Sequence, residues 1–301
     1  MAKLDTKTRQ EIEKNIFSAS HLAIKDWDRY PWHRHGKQIT TGWPNSSQAL
    51  SIEVFGTLKA LQNQLARDAV MNALVVELGM ESDHDWAIDL EWMDNRNRLN
   101  EPRRTQVDVK AQGQKNLILM ECKFTEQDGG SCSQVKPFRK GVGKGKRQCD
   151  GAYRVQINSV NGQMGSCALT VKGIRYWDLI PEVFNFDRHQ EYEECPFKGG
   201  WFQWMRNLVL CQELARQGLQ PKVAIVYVDS PSMPFKRKMV GGELDKFLWT
   251  LKNKALLNTL SYQRILELGA EALSTFETER RVWEALGLHV HNKIKLVESR
   301  E

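Results

Sequence analysis

Residues 105–125 read TQVDVKAQGQKNLILMECKFT, and the way this stretch pairs with itself decides the fold. Val107, Val109, Leu117 and Leu119 lie in two strand-like runs, and Gly113 to Asn116 supplies turn signals between them. A hairpin centred on that turn sets Asp108 opposite Glu121. Strand side chains alternate with a period of two, so Lys123 shares a face with Glu121 while Met120 and Cys122 point the other way. Asp108, Glu121 and Lys123 therefore converge at one point.

Two carboxylates held together repel unless a cation sits between them, and hard oxygen ligands beside a lysine favour Mg²⁺ or Mn²⁺ over zinc. Asp108 and Glu121 are the expected ligands, with the backbone carbonyl of Cys122 as an additional one. Such a metal polarises a phosphoryl oxygen and lowers the pKa of a water, while Lys123 orients that water or stabilises the transition state. The competing reading is a cross-strand acid pair on a solvated sheet face, with Lys123 as its counter-ion.

Asp108, followed after a hairpin by Glu121-Cys122-Lys123, resembles the D…(D/E)xK signature of the PD-(D/E)XK nuclease superfamily, whose core is the restriction-endonuclease-like fold. Ser46-Ser47-Gln48-Ala49 upstream and Trp201-Phe202-Gln203-Trp204-Met205-Arg206-Asn207 downstream resemble segments that flank the motif in a family of uncharacterised bacterial proteins of that kind. The resemblance covers residues 45–230. Val107 stands where many superfamily members carry Pro, although others vary there. The resemblance implies an α/β fold with a mixed central sheet flanked by helices and a cysteine-containing insertion, residues 127–198, after the core hairpin. It also implies a helix before the hairpin that brings an acid to the metal. Glu53 is the candidate and Gln48 a lesser one, with a plain surface glutamate as the alternative for Glu53. By the same resemblance Gln203 helps position Lys123 or the attacked phosphate.

At 301 residues the chain can bury one large core or two modest ones, and one elaborated domain over 1–301 is the expectation. A hydrophobic content of 41% with 27% charged residues describes an ordinary soluble globular protein, with no apolar run long enough for a transmembrane helix. The opening MAKLDTKTRQEIEKN lacks the apolar stretch of a secretory signal, so a cytoplasmic location is expected. A net charge of +6 permits nucleic-acid binding without requiring it. The absence of a Walker-type loop, a dinucleotide fingerprint and a serine-hydrolase elbow argues against an ATPase, an oxidoreductase and an esterase.

Residues 4–18 have an amphipathic helical pattern. Trp27 to Lys37 interleaves aromatic and basic groups, which suits either stacking on bases or capping the core with tryptophans. One helix is expected from Asn45 or Ser46 through Leu65 toward Leu78, ending at Gly79. Trp86 to Met93 alternates as a strand, with Asp89 and Glu91 on its outward polar face. The stretch from Lys136 to Gln148, KPFRKGVGKGKRQ, holds six basic residues, three glycines and no acid. Its Lys136, Arg139, Lys140, Lys144, Lys146 and Arg147 are candidate contacts to a nucleic-acid backbone, against the alternative of a solvated loop.

Cys132, Cys149, Cys167 and Cys195 lie in the same region, which has few apolar residues, and four thiolates can bind Zn²⁺ or an iron–sulfur cluster. Their spacing contains no CxxC pair, which leaves free buried cysteines as the alternative, and Cys122 and Cys211 fit as core residues. Gly200 to Leu214 reads as a helix and Lys222 to Val228 as a buried strand. Beyond residue 242 the pattern is helical, at Leu244 to Leu257, Ser261 to Leu268 and Ser274 to Leu286, and His289 and His291 are expected on a surface or interface. The expected function is a metal-dependent nuclease hydrolysing phosphodiester bonds in DNA, an endonuclease of restriction or defence type. A nucleic-acid-binding module on a non-catalytic nuclease-like fold is the alternative. DNA is the expected partner, preferred over RNA through the resemblance alone, and a homodimer stays open.

Overall fold

The computed structural model describes residues 4–141 and 143–299, so Val142 of the basic stretch lies outside it. Helix α1 (Thr6–Asn15) starts where the Asp5 side chain accepts from Thr8 N–H at 2.9 Å. A small hairpin follows, β1 (Arg34–His35) with β2 (Gln38–Ile39). Ser46 caps α2 (Ser47–Ser51), which passes through a π-helical turn at Ile52–Gly56 into α3 (Thr57–Ala60). Helix α4 (Gln64–Glu77) then leads to β3 (Ala87–Met93), β4 (Gln106–Gln112) and β5 (Asn116–Lys123). The insertion contributes β6 (Gln156–Ile157), β7 (Met164–Gly165) and α5 (Tyr176–Val183). After it come α6 (Phe202–Ala215), β8 (Gln220–Tyr227), α7 (Pro234–Val240), α8 (Glu243–Leu248), β9 (Leu257–Ser261), α9 (Tyr262–Ala272) and α10 (Glu277–Glu298).

The central sheet has the order β3-β4-β5-β8-β9; β3, β4 and β5 are antiparallel neighbours, and β8 is parallel to both β5 and β9. Strand β5 lies in the middle and is buried at every position, as its run NLILMECK suggests for a strand covered on both faces. Ile118, Met120 and Cys122 pack on one side with Leu74 of α4, Ile265 of α9 and Trp283 of α10. Leu117 and Leu119 pack on the other with Ile180 of α5 and Leu208 and Cys211 of α6. The mixed α/β architecture implied by the resemblance is therefore present, with helices on both faces of a mixed sheet.

Three elements differ from the sequence expectation. The helix expected from residue 46 to residue 78 is interrupted at Leu61 to Asn63, because the Asn63 side chain accepts from Leu65 and Ala66 N–H and starts a new helix instead of continuing the old one. The helix expected over 244–257 stops at Leu248, and Leu257 opens the edge strand β9. Helix α10 continues past Leu286 and carries both His289 and His291, of which His291 is exposed and His289 partly buried. Among the described residues no helix is long and apolar enough to cross a membrane.

The turn of the central hairpin is held from outside by Asp83. Its Oδ2 accepts the N–H groups of Lys115 at 2.7 Å and Asn116 at 2.9 Å, and a Cβ at Gly113 would collide with this carboxylate. Burial alone would raise the Asp83 pKa, but the backbone N–H donors of Lys115, His84 and Asn116 outweigh it and hold the carboxyl below its usual range. A depressed folded pKa contributes stability above the unfolded value, lost as pH falls through the folded one. Asp83→Asn is therefore expected to lower stability by roughly 1–3 kcal/mol at pH 7, the worth of hydrogen bonds to a charged acceptor. In urea melts across pH, the gap to the wild type should narrow below about pH 4; a gap independent of pH would remove the charge from this account.

Candidate active site

Strand β5 presents Glu121 and Lys123 on the face toward α6. The β4–β5 ladder runs as far as Val109 opposite Met120, and one step on Asp108 lies opposite Glu121, with its Oδ2 accepting Cys122 N–H at 2.7 Å. On the other side of β4, Leu90 pairs with Val109 and Trp92 with Val107, while Glu91, between them, adopts a positive φ of 50°. Both strands change face at this level. Leu90 and Val109 pack with one core layer, Trp92 and Val107 with the layer on the opposite side of the sheet. The left-handed conformation at Glu91, uncommon for a residue with a side chain, turns its carboxylate inward beside Asp108. Three strands thus bring Glu91, Asp108 and Glu121 side by side.

Each acid has its own holders. Glu121 Oε1 accepts from Lys123 Nζ at 2.8 Å and its Oε2 from Asn207 Nδ2 of α6 at 2.8 Å. Lys123 Nζ also donates to Gln203 Oε1 at 3.1 Å. Glu91 Oε1 accepts from Gln48 Nε2 at 2.7 Å, its Oε2 accepts from Gln106 Nε2, and His33 Nε2 lies 3.5 Å from that oxygen. Gln48 in turn accepts His33 N–H at 2.8 Å and the Thr41 hydroxyl at 2.5 Å, tying the segment before α2 to the sheet. Glu91, Asp108, Glu121, Lys123, Gln106, Gln203 and His33 line a cleft of about 380 Å³, together with Ser47, Glu126, Asp128 and Arg206.

The charges follow from this crowding. Burial, then Glu121 and Glu91, push the Asp108 carboxyl well above its ordinary range. Burial would do the same to Glu121, but the Lys123 ammonium, with Arg206 and the Asn207 amide, holds it low. Burial would lower Lys123, and the charges of Glu121, Glu126 and Asp108 keep it raised instead. His33 is likewise desolvated, yet its contact with Glu91 and the charge of Asp108 raise it to about 9.

Asp108, Glu121, Lys123 and Gln203, singled out from the sequence, lie together in the cleft. Glu53 does not. It is fully buried on the π-helical turn and faces α10, where Lys293 Nζ and His289 Nε2, the latter at 3.0 Å, donate to its Oε1. Its counter-charges come from α10, a contact between distant elements that the helical period around Glu53 could not convey. Gln48 serves as a tie for Glu91. The aromatic residues of 27–37 mostly pack, with Trp32 buried against Trp27 and Tyr30, and only His33 reaches the cleft. Lys136, Arg139, Lys140, Lys144, Lys146 and Arg147 are exposed on a small hairpin in which Phe138 N–H donates to Lys146 O at 3.0 Å, outside the cleft lining.

Glu91 and His33 were missed, since Glu91 reads as an outward residue unless its backbone turns over. Ligand atoms of His33, Glu91 and Asp108 lie within 4.8 Å of one another, a span one divalent ion can bridge. Hard carboxylate oxygens, crowded enough to raise Asp108, suit Mg²⁺ or Mn²⁺. Glu91→Ala is expected to weaken Mn²⁺ binding tenfold or more in titration calorimetry. Glu53→Ala should leave that affinity within twofold but cost about 3–5 kcal/mol of stability, because Lys293 would remain buried without its partner. Equal metal affinity in Glu91→Ala and the wild type would exclude Glu91 from the site.

No curated protein and no solved structure matches the chain. The family described as "Restriction Endonuclease associating with ARP" matches residues 2–239, a range that contains the whole cleft from His33 to Arg206. The chain belongs to this restriction-endonuclease family, REase-ARP.

Proposed function

We propose that the chain is a metal-dependent phosphodiesterase acting on DNA, an endonuclease of restriction or defence type built on the PD-(D/E)XK plan. The observation that carries this reading is the convergence of Asp108, Glu121 and Lys123 in one cleft, with Lys123 further held by Gln203. Asp108 and Glu121 would hold one Mg²⁺ or Mn²⁺, joined by Glu91 from the neighbouring strand. Such an ion, when bound, supplies Lewis-acid polarisation of a phosphoryl oxygen and a more acidic water.

The chain's own residues orient and neutralise. Lys123 keeps its proton, and its ammonium, anchored by Glu121 at 2.8 Å and Gln203 at 3.1 Å, donates toward a water or a non-bridging phosphate oxygen. Its fixed position means that little reorganisation accompanies charge development. Arg206 adds a second positive group to the cleft wall, and its Nε is buried without a protein partner among the described residues. Asn207 and Gln48 fix the orientation of the Glu121 and Glu91 carboxylates, which would hold the cation. The exposed cations of 136–147 offer positive groups on which a phosphate backbone can track.

Two measurements test this reading. Lys123→Ala is expected to retain metal and DNA binding and to cut single-turnover cleavage about a hundredfold or more, whereas Glu121→Ala also loses metal affinity. Chelation should abolish cleavage and Mg²⁺ restore it. Unchanged cleavage by Lys123→Ala would sink the assignment, and DNA binding without cleavage by the wild type would leave a binding module. Replacing the six basic residues of the 136–147 hairpin by serine should flatten the salt dependence of DNA affinity, by about one unit of log–log slope for each phosphate that is no longer neutralised. An unchanged slope would remove that hairpin from the interface.

A further inference from the structure

Between Glu126 and Gly200 the chain has little regular structure: α5, the two-residue strands β6 and β7, and single turns at Ser133–Val135 and Thr170–Lys172. What holds this region together runs through its cysteines. Cys132 N–H donates to Lys198 O at 3.1 Å, close to Cys195, and Cys195 N–H donates to Gly151 O at 2.8 Å, close to Cys149. Cys149 N–H donates to Gln134 O at 3.2 Å, close to Cys132, and closes the circuit. The segments bearing these three cysteines therefore form a ring of backbone hydrogen bonds. Cys167 joins it through the following turn. Val171 N–H donates to Cys167 O at 3.1 Å, and Lys172 Nζ donates to Gln134 Oε1 at 2.6 Å and to Gln148 Oε1, next to Cys132 and Cys149.

All four thiols are free and only partly buried, unlike the core residues Cys122 and Cys211. Cys132, Cys167 and Cys195 pack against the aromatic layer that contains Tyr153, Trp177 and Tyr192, so one side of the group is dry. Simple core cysteines would not be gathered from four distant segments onto one loop-rich layer.

We infer that Cys132, Cys149, Cys167 and Cys195 together ligate one iron–sulfur cluster that knots the insertion. Ligation replaces four S–H bonds by four S–Fe bonds and releases four protons to solvent. Sulfur spacing favours a cluster over a single zinc. Among the described residues no three of these sulfurs lie within 4.8 Å of one another, whereas tetrahedral zinc with bonds of about 2.3 Å would gather all four to about 3.8 Å. A multi-iron cube spreads its ligands wider.

The knot would sit at two strategic places. The basic hairpin leaves and re-enters the ring at Cys132 and Cys149, so the cluster would fix its base. The chain also reaches the active site from here, because Gly129 N–H donates to Gly200 O at 2.7 Å and Gln203 N–H to Gly129 O at 2.7 Å, next to the Gln203 side chain that holds Lys123.

The wild-type protein purified without oxygen provides the test, independent of any nuclease activity. The expected result is about four iron and four acid-labile sulfide per chain, with a broad visible absorption that dithionite bleaches. Cys195→Ser should lose iron and colour, and Cys211→Ser, in the core of α6, should keep both. Because Cys195→Ser could fail to fold, the wild type carries a second reading. All six of its thiols should resist alkylation under native conditions, Cys122 and Cys211 by burial, and four should become reactive after oxidation and chelation. Absence of iron and sulfide, one zinc per chain in their place, or colour retained by a folded Cys195→Ser would each overturn the inference.

Discussion

Three carboxylates, from Glu91, Asp108 and Glu121, are held beside one another in a largely buried cleft, and much of the surrounding structure offsets their repulsion. Without compensation this arrangement would protonate or splay apart. Compensation comes from Lys123 and Arg206 on the α6 side and from His33 on the opposite side, with amides of Gln48, Gln106 and Asn207 aimed at the remaining lone pairs. A sheet can bring acids from three adjacent strands to one level only if the residues there face the same way. The reversal of face shared by β3 and β4 at Glu91 and Asp108 provides that condition.

The two core layers divide the labour. The layer of α4, α9 and α10 makes the back of the sheet rigid through large apolar side chains such as Trp283 and Phe55. The layer of α5 and α6 is where polar function is introduced, since α6 is apolar through Leu208 and Cys211 but offers Gln203, Arg206 and Asn207 to the cleft. A helix docked by its apolar stripe is a firm support for the polar groups it offers to the cleft, because rotation about its axis would expose that stripe.

Much of this was legible in the sequence. The period-two alternation around a glycine-bearing turn leaves few ways to pair residues 105–125, so the opposition of Asp108 and Glu121, and Lys123 on the same face, follow directly. Gln203 was accessible only through resemblance. The remainder was hidden for local reasons. Glu91 alternates like a solvent-facing residue, and nothing in its neighbours signals a positive φ. Glu53 has the position of a helical site residue, but its partners His289 and Lys293 lie on α10, which its own neighbours do not signal. Asn63 sits inside an apolar periodicity that continues on either side of the break, and β9 has too few residues for alternation to separate it from the helices around it. Apart from Glu53, these failures are local ones, a departure or a short element that an average period cannot represent.

Glu53 has a further consequence, one of timing. Its partners, His289 and Lys293, lie more than two hundred residues downstream, and Lys293 also donates to the backbone carbonyl of Asn15 at the end of α1. During synthesis the layer containing α1 and the π turn exists long before its counter-ion does. The acid must remain hydrated until residue 293 emerges, so the packing of that layer belongs to the last stage of folding. Since this layer also delivers Gln48 and His33 to Glu91, a nascent chain would carry an incompletely braced acid cluster until late in its own translation.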